Sequence, residues 1–516
     1  MKKRQILAAV MAIVMAAALC ACGGGKTEDS GTKETSNTLS EGTPVEGGSL
    51  VFGMTQTLTS LDPHNQTDAG TREMVFNMYE GLVKPTSDGD IVPAVASDYE
   101  ISDDAKTYSF TLRDGVTFHD GTKVTVEDVK YSIDRYAEVQ GETSAFCSVA
   151  DSTEIKDDKT VLVHLKEGYT EFLSMMTVIA IVPQANEDLL GNPIGTGPFK
   201  FVSTSAGENI VMEKYEEYWG EKAHLDQVTF KFIADVDTAY MELKAGTIDV
   251  LRYLTTDQIA GLGEEYNVYE GSMNLVHGMY LNNQYEPLSN VKVRQALCHA
   301  VDRDSINNFL FGGKSKLIGT HMIPAFAKYY NEDTLNAYPY DPAKAKELLT
   351  EAGYADGFDL EIKVASSYSQ HVDTCQIIAE QLKAVGINVT INQVEWNTWL
   401  EEVNTNGDFQ ATVIGFDISS LSPADLLRRY TSDSPKNFMH YYSDDFDKTF
   451  NEAYATVDDE KKVELYKKAQ QILTDDAASV WIEDPANLVA MNKKFAGYTF
   501  YPTSAEDISK IYMVEQ

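Results

Sequence analysis

The sequence has few cysteines, a minority of basic residues and a single long apolar run. Five cysteines in 516 residues are too few for a disulfide framework. Lysine and arginine number 42 against 79 aspartates and glutamates, a net charge of −37, which repels phosphate backbones and excludes general nucleic-acid binding. Because the apolar run lies at the N-terminus, a protein with several membrane spans is excluded as well.

The motifs of common enzyme and metal sites are also missing from the sequence. Its nine histidines are scattered, and none forms an HExxH or joins a CxxC. No GxSxG supports a hydrolase nucleophile. A metal site would have to use His371 or His440, each of which is more simply a surface or supporting histidine. We therefore expect no metal, no cofactor and no catalysis.

The N-terminus has the pattern of a secretory signal. Basic residues at 2–4 precede the apolar run 6–18, which is too short to span a bilayer. The sequence Leu19-Cys20-Ala21-Cys22 resembles a bacterial lipoprotein box with Cys22 as the lipidated residue. The alternative is an ordinary cleaved signal. We predict a signal peptide over 1–21, and over 22–46 the lipidated cysteine with a flexible linker poor in apolar residues.

The body of the sequence alternates predicted strands and helices. Hydrophobic residues make up 43% of the whole chain, which is enough to form large cores. At about 150 residues per domain, the length predicts two to four domains. Periodicity predicts strands at 48–54, 107–113, 160–165, 227–233, 387–394 and 411–414, and helices at 69–82, 237–245, 291–302, 342–352 and 372–385. This order predicts an α/β fold. Cys147, Cys298 and Cys375 are expected to be buried thiols, with one disulfide left open.

Eight segments, in order along the chain, carry a family resemblance. They are 79–83, 92–96, 108–122, 192–199, 218–220, 291–297, 300–303 and 340–354. Together they resemble the extracytoplasmic solute-binding proteins of ABC importers, in the peptide- and nickel-binding class called family 5. The resemblance covers the body from about residue 48. Residues 195–198 (Gly-Thr-Gly-Pro) are predicted to form a loop in which the two glycines permit positive φ and Pro198 fixes the exit.

The resemblance implies an α/β Venus-flytrap fold of the periplasmic-binding-protein type (class II, cluster C), with two lobes and an extra N-terminal subdomain. Lobe I would comprise 47–275 and 480–516, with the extra subdomain at about 83–185. Lobe II would be 276–479. The chain would then cross between lobes near Tyr280 and again near 483–485, and the lobes would open and close around a ligand.

The resemblance also places the ligand in the interlobe cleft, at a Gly-aromatic loop that follows the strand 411–414. The candidate contacts there are Gly415, Phe416, Asp417, Ser419 and Ser420. Family peptide binders often carry an acidic residue where this chain has Ser419, so a peptide's amino group would need Asp417 instead.

Further candidate contacts come from outside this loop. Trp396 resembles a family position at which an indole flanks the ligand, whereas Trp399 is more simply structural. In lobe I, Thr67, Asp68 and Gly70 open a predicted helix whose free N–H groups could meet a polar ligand; simple N-capping by Asp68 explains them equally well. Tyr280 is expected on the hinge side of the cleft.

The expected function is that of a membrane-anchored substrate-binding protein, which captures oligopeptides or dipeptides and delivers them to an ABC permease and its ATPase. The protein would be a monomer in the bacterial cell envelope, held by its lipid on the outer face of the cytoplasmic membrane. The alternatives are the same role for an oligosaccharide or another polar solute, with a nickel complex less favoured, or a surface lipoprotein acting as a sensor or adhesin.

Overall fold

The computed structural model describes residues 42–56, 58–65, 69–142, 144–418 and 421–515. The predicted signal peptide, Cys22 and most of the predicted linker lie outside these ranges. Within them, no helix is both long enough and apolar enough to cross a membrane.

The strands are numbered along the chain. They are β1 Pro44–Val45, β2 Ser49–Met54, β3 Val83–Pro85, β4 Ile91–Pro93, β5 Ala96–Ile101, β6 Thr107–Leu112, β7 Ala150–Ile155, β8 Thr160–Leu165, β9 Phe199–Ser205, β10 Asn209–Lys214, β11 Gln227–Phe232, β12 Val250–Leu251, β13 Tyr266–Ser272, β14 Leu275–Leu281, β15 Lys316–Leu317, β16 Phe358–Ala365, β17 Ile387–Val394, β18 Ala411–Asp417, β19 Ser479–Asp484, β20 Ala486–Asn492, β21 Phe495–Ala496 and β22 Tyr512–Val514.

The α-helices are numbered in the same way. They are α1 Ala69–Val75, α2 Val126–Gln140, α3 Ala145–Val149, α4 Phe172–Met176, α5 Val236–Lys244, α6 Thr256–Ala260, α7 Val291–Ala300, α8 Arg303–Phe311, α9 Pro342–Glu351, α10 Ser369–Lys383, α11 Trp396–Trp399, α12 Pro423–Leu427, α13 Asp444–Ala455 and α14 Asp459–Asp475. A π-helical segment, Leu400–Thr405, continues α11.

Two large sheets organise the molecule. A seven-stranded sheet has the order β13-β20-β12-β2-β11-β10-β9, and a six-stranded sheet has the order β15-β19-β14-β18-β16-β17. We call the part built on the first sheet lobe I and the part built on the second lobe II. In lobe I, β2 runs parallel to β11 and β12; in lobe II, β16 runs parallel to β17 and β18.

A smaller antiparallel sheet, β5-β6-β8-β7, stands beside the seven-stranded sheet. It has a separate hydrophobic core, to which Tyr108 and Phe110 of β6 and Phe172 of α4 contribute. Helix α2 starts at a capping box formed by Thr125 and Asp128 and packs against β7 and β8. We call this unit, from Val83 to Ile181, the small subdomain.

The chain passes between the two large sheets twice. It leaves β13 at Ser272 and enters β14 at Leu275; it returns between Asp484 of β19 and Ala486 of β20. The two crossings are tied together, because the Leu275 amide donates to Asp484 Oδ1 at 3.1 Å. The predicted lobe limits, 47–275 with 480–516 and 276–479, stay a prediction.

Helix α1 is shorter than the predicted helix 69–82. Its continuation is blocked because the carbonyls of Asn77 and Met78 accept hydrogen bonds from the amides of Phe199 and Gly197, at 3.0 and 2.9 Å. Gly195 and Gly197 do not adopt the positive φ that glycine permits. A Cβ on Gly195 would lie 2.1 Å from the Met78 carbonyl oxygen, so this glycine is required for close backbone approach.

The three cysteines of the body are free thiols. Cys298 and Cys375 are buried, and burial raises the pKa of each to about 12. Cys147 is half-buried. The prediction that these cysteines are thiols is therefore confirmed for all three. The prediction that they are buried is confirmed for Cys298 and Cys375.

Candidate ligand-binding cleft

The parallel strands of lobe II end at one edge of the six-stranded sheet. Tyr368 follows β16, Trp396 follows β17, and Phe416 and Asp417 end β18. Ligands of open α/β sheets collect at the carboxyl ends of such strands. The strand order therefore brings the predicted loop and Trp396 to the same edge, together with Tyr368.

Aromatic rings line this edge. Trp396 lies parallel to Trp399, with ring centroids 5.2 Å apart, and meets Tyr368 edge-on at 5.4 Å. Trp399 is buried, and its indole N–H donates to Thr412 Oγ1 at 2.9 Å, which fixes the pair. Tyr368 is 40% exposed. Trp396 is half-buried, so one ring surface is covered by Trp399 while part of the ring remains available for stacking.

Phe416 stands on a second aromatic cluster. Tyr280 meets its ring edge-on, with centroids 4.9 Å apart, and the guanidinium of Arg429 lies 3.8 Å from the ring centre. Tyr280 itself is fully buried, and its hydroxyl donates to the Val276 carbonyl at 2.8 Å. In this structure Tyr280 therefore packs against Phe416 inside lobe II. We expected it to line the cleft, but its side chain does not reach the surface.

Asp417 connects the two lobes. Its Oδ2 lies 3.5 Å from Nη2 of Arg72, on α1 of lobe I. The Asp417 side chain is 52% exposed and that of Arg72 is 20% exposed. Asp417 is thus at the boundary of the lobes, as expected for a cleft residue, but an arginine already occupies its carboxylate.

Lobe I contributes Tyr253, which is close enough to Asp417 for an electrostatic interaction. The residue follows β12 with φ of +59°, and its side chain is 41% exposed. Arg252 holds this turn in place, because its guanidinium contacts Glu73 and Glu506, all three being buried. A residue other than glycine that keeps a left-handed backbone conformation is typical of functional sites. Here the buried ion pairs of the preceding Arg252 hold that conformation, and the aromatic ring of Tyr253 is exposed.

A buried polar contact closes the lobes at the small subdomain. Glu171 accepts hydrogen bonds from Ser422, which directly precedes α12, and from Tyr466 of α14. Lys462 Nζ is 3.9 Å from the same carboxylate, and its side chain is 3% exposed. Tyr169 stacks on Tyr454 of lobe II with centroids 4.4 Å apart.

A cluster of ionisable groups is buried where the chain crosses between the lobes. His277 of β14 pairs in register with Gly415 and Glu483, and its Nδ1 is 3.7 Å from Glu483 Oε1. Burial raises the pKa of Glu483 to about 8 and that of Asp484 to about 7, and lowers the pKa of His277 to about 4. His371 stacks on His277. All four groups therefore favour the neutral form at pH 7 or slightly below.

Several predicted contacts are not brought to the cleft or cannot be placed there. Thr67, Asp68, Ser419 and Ser420 lie outside the described residues. Gly70 is buried, and a Cβ there would be 2.3 Å from Oε1 of Gln56. Its role is local packing in a helix of seven residues.

Sequence reasoning missed five residues of the cleft and its closure. They are Arg72, Glu171, Tyr253, Tyr368 and Arg429. Two signals were present: Tyr368 closely follows a strand that ends at an α/β sheet edge, and the pair Arg428-Arg429 is unusual in so acidic a chain. The other three depend on contacts between segments far apart in sequence.

The described part of the chain contains no group of three or more His, Cys, Asp or Glu side chains arranged to hold a metal. His371 belongs to the buried cluster at the crossing, and His440 Nδ1 is 3.2 Å from Oδ1 of Asn282. His440 thus has a protein partner, whereas neither ring nitrogen of the buried His371 has a hydrogen-bond partner among the described residues.

Comparison with known proteins agrees with the two-lobed architecture. Residues 90–438 match the model of the bacterial extracellular solute-binding proteins, family 5. The oligopeptide-binding protein AppA of Bacillus subtilis is 28% identical over 97% of both chains.

Two solved structures illustrate the likeness in three dimensions. The periplasmic binding protein DppA of Helicobacter pylori, solved with the peptide STSA, has a TM-score of 0.76 and 28% identity and covers 91% of this chain and 99% of its own. The binding protein AgaA of A. tumefaciens R10, solved with agropinic acid, has a TM-score of 0.75 and 29% identity, with the same coverage.

These findings confirm the resemblance noted from the sequence and the two-lobed α/β fold it implied. The family consists of solute-binding proteins of the cell exterior, and peptide-binding proteins of ABC transporters are among the relatives of this chain. The chain belongs to the bacterial extracellular solute-binding proteins of family 5.

Proposed function

We propose that this protein is the membrane-anchored substrate-binding protein of an ABC importer, that it captures oligopeptides or dipeptides between its lobes, and that it delivers them to a permease. The observation that carries the proposal is the edge of lobe II, where Tyr368, Trp396 and Asp417 stand together and Asp417 is 3.5 Å from Arg72 of lobe I. Aromatic surfaces beside charges of both signs are complementary to a peptide's planar amides and charged ends.

Binding would act through closure of the lobes. A ligand shifts the population towards the closed form only as far as it binds that form better. A peptide that contacts Asp417 and Trp396 of lobe II and Tyr253 of lobe I bridges both lobes, so its binding energy favours closure. The permease would recognise the closed form. The protein would perform no chemistry, because ATP hydrolysis belongs to separate subunits.

Attachment to the membrane would come from Cys22, acylated after removal of residues 1–21. The residues up to about 46 would then form a tether that holds the monomeric body at the outer face of the cytoplasmic membrane. The support for this step is the lipoprotein box at 19–22 and the poverty of the following segment in apolar residues.

A second ligand class is a polar solute such as an oligosaccharide or a sugar–amino-acid conjugate. Two observations favour it: Ser419 stands where family peptide binders often carry an acid, and a relative of equal similarity was solved with agropinic acid. Trp396 could stack on a sugar ring as readily as on a peptide plane.

A thermal-shift screen separates the two classes. Purified protein is heated with di-, tri- and nonapeptide libraries and, separately, with oligosaccharides. A ligand at 100 times its Kd adds about 2.7 kcal/mol of stability, which is readily measured. Stabilisation by peptides alone supports the first class. Stabilisation by oligosaccharides without any response to peptides would replace it by the second.

A further inference from the structure

Among the described residues, Arg429 differs from the other buried or half-buried arginines because it has neither a carboxylate partner nor more than one backbone carbonyl partner. Arg252 and Arg135 pair with carboxylates, and Arg294 and Arg303 each donate to at least two backbone carbonyls. Among the residues that the structure describes, Arg429 forms no ion pair. Within the described residues its one hydrogen bond is long, from Nη1 to the Lys436 carbonyl at 3.5 Å.

The guanidinium of Arg429 lies over the ring of Phe416. Its Cζ is 3.8 Å from the ring centre of Phe416 and 6.0 Å from that of Phe438. A guanidinium that lies over an aromatic ring makes a cation–π contact and can still donate its N–H groups to a further partner. The side chain is half-buried, and no nitrogen of Arg429 is among the buried, unpartnered polar atoms of the described chain. Its remaining donors therefore reach solvent.

The neighbouring charges leave this edge unneutralised. Asp417 directly follows Phe416 and is close enough to favour the charged form of Arg429 electrostatically, yet its carboxylate is paired with Arg72. Partial desolvation of a guanidinium without an anion is unfavourable, and burial lowers the pKa of Arg429. In a chain with 79 acidic residues, a cleft arginine without a carboxylate partner indicates that the partner comes from elsewhere.

We propose that Arg429, supported by Phe416, is an oxyanion subsite that binds a carboxylate of the ligand. The planar fork of arginine matches a carboxylate through two parallel N–H donors. Asp417 beside it supplies the opposite charge, so the pair is complementary to a ligand that carries both an ammonium and a carboxylate. The inference rests on the proposed function and adds a requirement for a free carboxylate, either the C-terminus of a peptide or an acidic side chain.

Competition binding with peptide libraries tests the subsite. An equimolar library of di- and tripeptides is offered as free acids, as C-terminal amides, and as amides that contain one glutamate, and retained peptides are counted by native mass spectrometry. The variants are Arg429→Gln, Arg429→Lys and the control Arg428→Gln. Arg428 is the adjacent arginine; it is exposed and stacks on Tyr454 at 4.4 Å. Unchanged near-ultraviolet circular dichroism verifies that each variant is folded.

The wild type and Arg428→Gln are expected to prefer free acids over amides by more than about tenfold, about 1.4 kcal/mol. Arg429→Gln should lose this preference, and Arg429→Lys should keep part of it. Retention of the glutamate-containing amides would assign the carboxylate to a side chain, within the same subsite. Equal binding of acids and amides by the wild type, or an unchanged preference in Arg429→Gln, overturns the subsite and leaves peptide binding intact. Binding of no peptide by the wild type overturns both proposals.

Discussion

Arg72 of α1 and Asp417 at the end of β18 meet across the cleft, with Nη2 and Oδ2 3.5 Å apart although the residues are 345 positions apart in sequence. The pair is partly exposed, and exposed ion pairs contribute about 0–1 kcal/mol. Such a contact is too weak to lock the lobes. A ligand ammonium that displaces Arg72 from Asp417 would exchange one weak pair for a better one, which makes the carboxylate a usable subsite.

Replacing Asp417 by alanine is therefore expected to weaken peptide binding by more than about tenfold, about 1.4 kcal/mol. Arg72→Gln removes the competitor for the same carboxylate and should leave affinity unchanged or raise it. Isothermal titration calorimetry with a bound peptide identified beforehand measures both. Wild-type affinity in Asp417→Ala would remove this residue from the site.

The Glu171 contact should dominate the stability of the closed arrangement. Removing its carboxylate leaves the hydroxyls of Ser422 and Tyr466 without their acceptor and the buried Lys462 without its anion. Glu171→Ala is expected to lower the free energy of unfolding by about 3 kcal/mol. Glu167→Ala, four residues away at an exposed position, is the matched control. Urea denaturation measures both, and equal midpoints for the two variants would disprove the assignment.

The cluster at the crossing predicts a pH dependence with a definite sign. Folding raises the pKa of Glu483 from 4.5 to about 8, so the folded chain keeps a proton that the unfolded chain releases. The stabilisation is complete below pH 4.5 and is lost as the pH rises through about 8. Asp484, with a pKa near 7, acts in the same direction. His277 and His371, whose pKa values are lowered, act only below about 6.5.

Glu483→Gln should therefore flatten the decline in stability between pH 6.5 and 8. One proton changes the free energy of unfolding by about 1.4 kcal/mol per pH unit. The slopes of the wild type and the variant should therefore differ by at most this amount. Urea titrations at three pH values within that window measure the slopes. Parallel curves for wild type and variant would show that Glu483 is ionised in the folded state.

Membrane attachment is expected to depend on one sulfur atom. Cys22→Ala should abolish metabolic labelling with radioactive palmitate and move the protein from the membrane fraction to the medium or periplasm. Cys20→Ala serves as the control, because a bulky Leu19 precedes it where the box requires a small residue. Continued labelling of Cys22→Ala would place the lipidated residue elsewhere.

Local structure was largely predictable from the sequence. The strands 160–165 and 387–394 have the expected bounds, because alternation over a half-buried strand is a direct signal. Trp399 is a core residue, as expected. The helix predicted over 69–82 was too long, since the amides of Gly197 and Phe199 bind the carbonyls that would have continued it. Pairings of that kind are not encoded in local periodicity.

The candidate site was predictable only where it follows a strand end. Phe416, Asp417 and Trp396 were predicted from the family resemblance, and the structure shows that each of them ends or follows a strand of the six-stranded sheet. Arg72 and Glu171 were not predicted, because they contact Asp417 and Tyr466 only when the lobes are docked against each other. Arg429 reaches Phe416 through the turn after α12, a path that composition and spacing do not specify.

Native mass spectrometry of residues 23–516, purified without refolding, is the decisive test of whether the cleft holds peptides. The protein is first weighed intact and then denatured, so that any released molecule can be identified. We expect a ladder of peptide masses, each bearing a free carboxylate. A single sugar or metal-complex mass, with no peptide present, would contradict it.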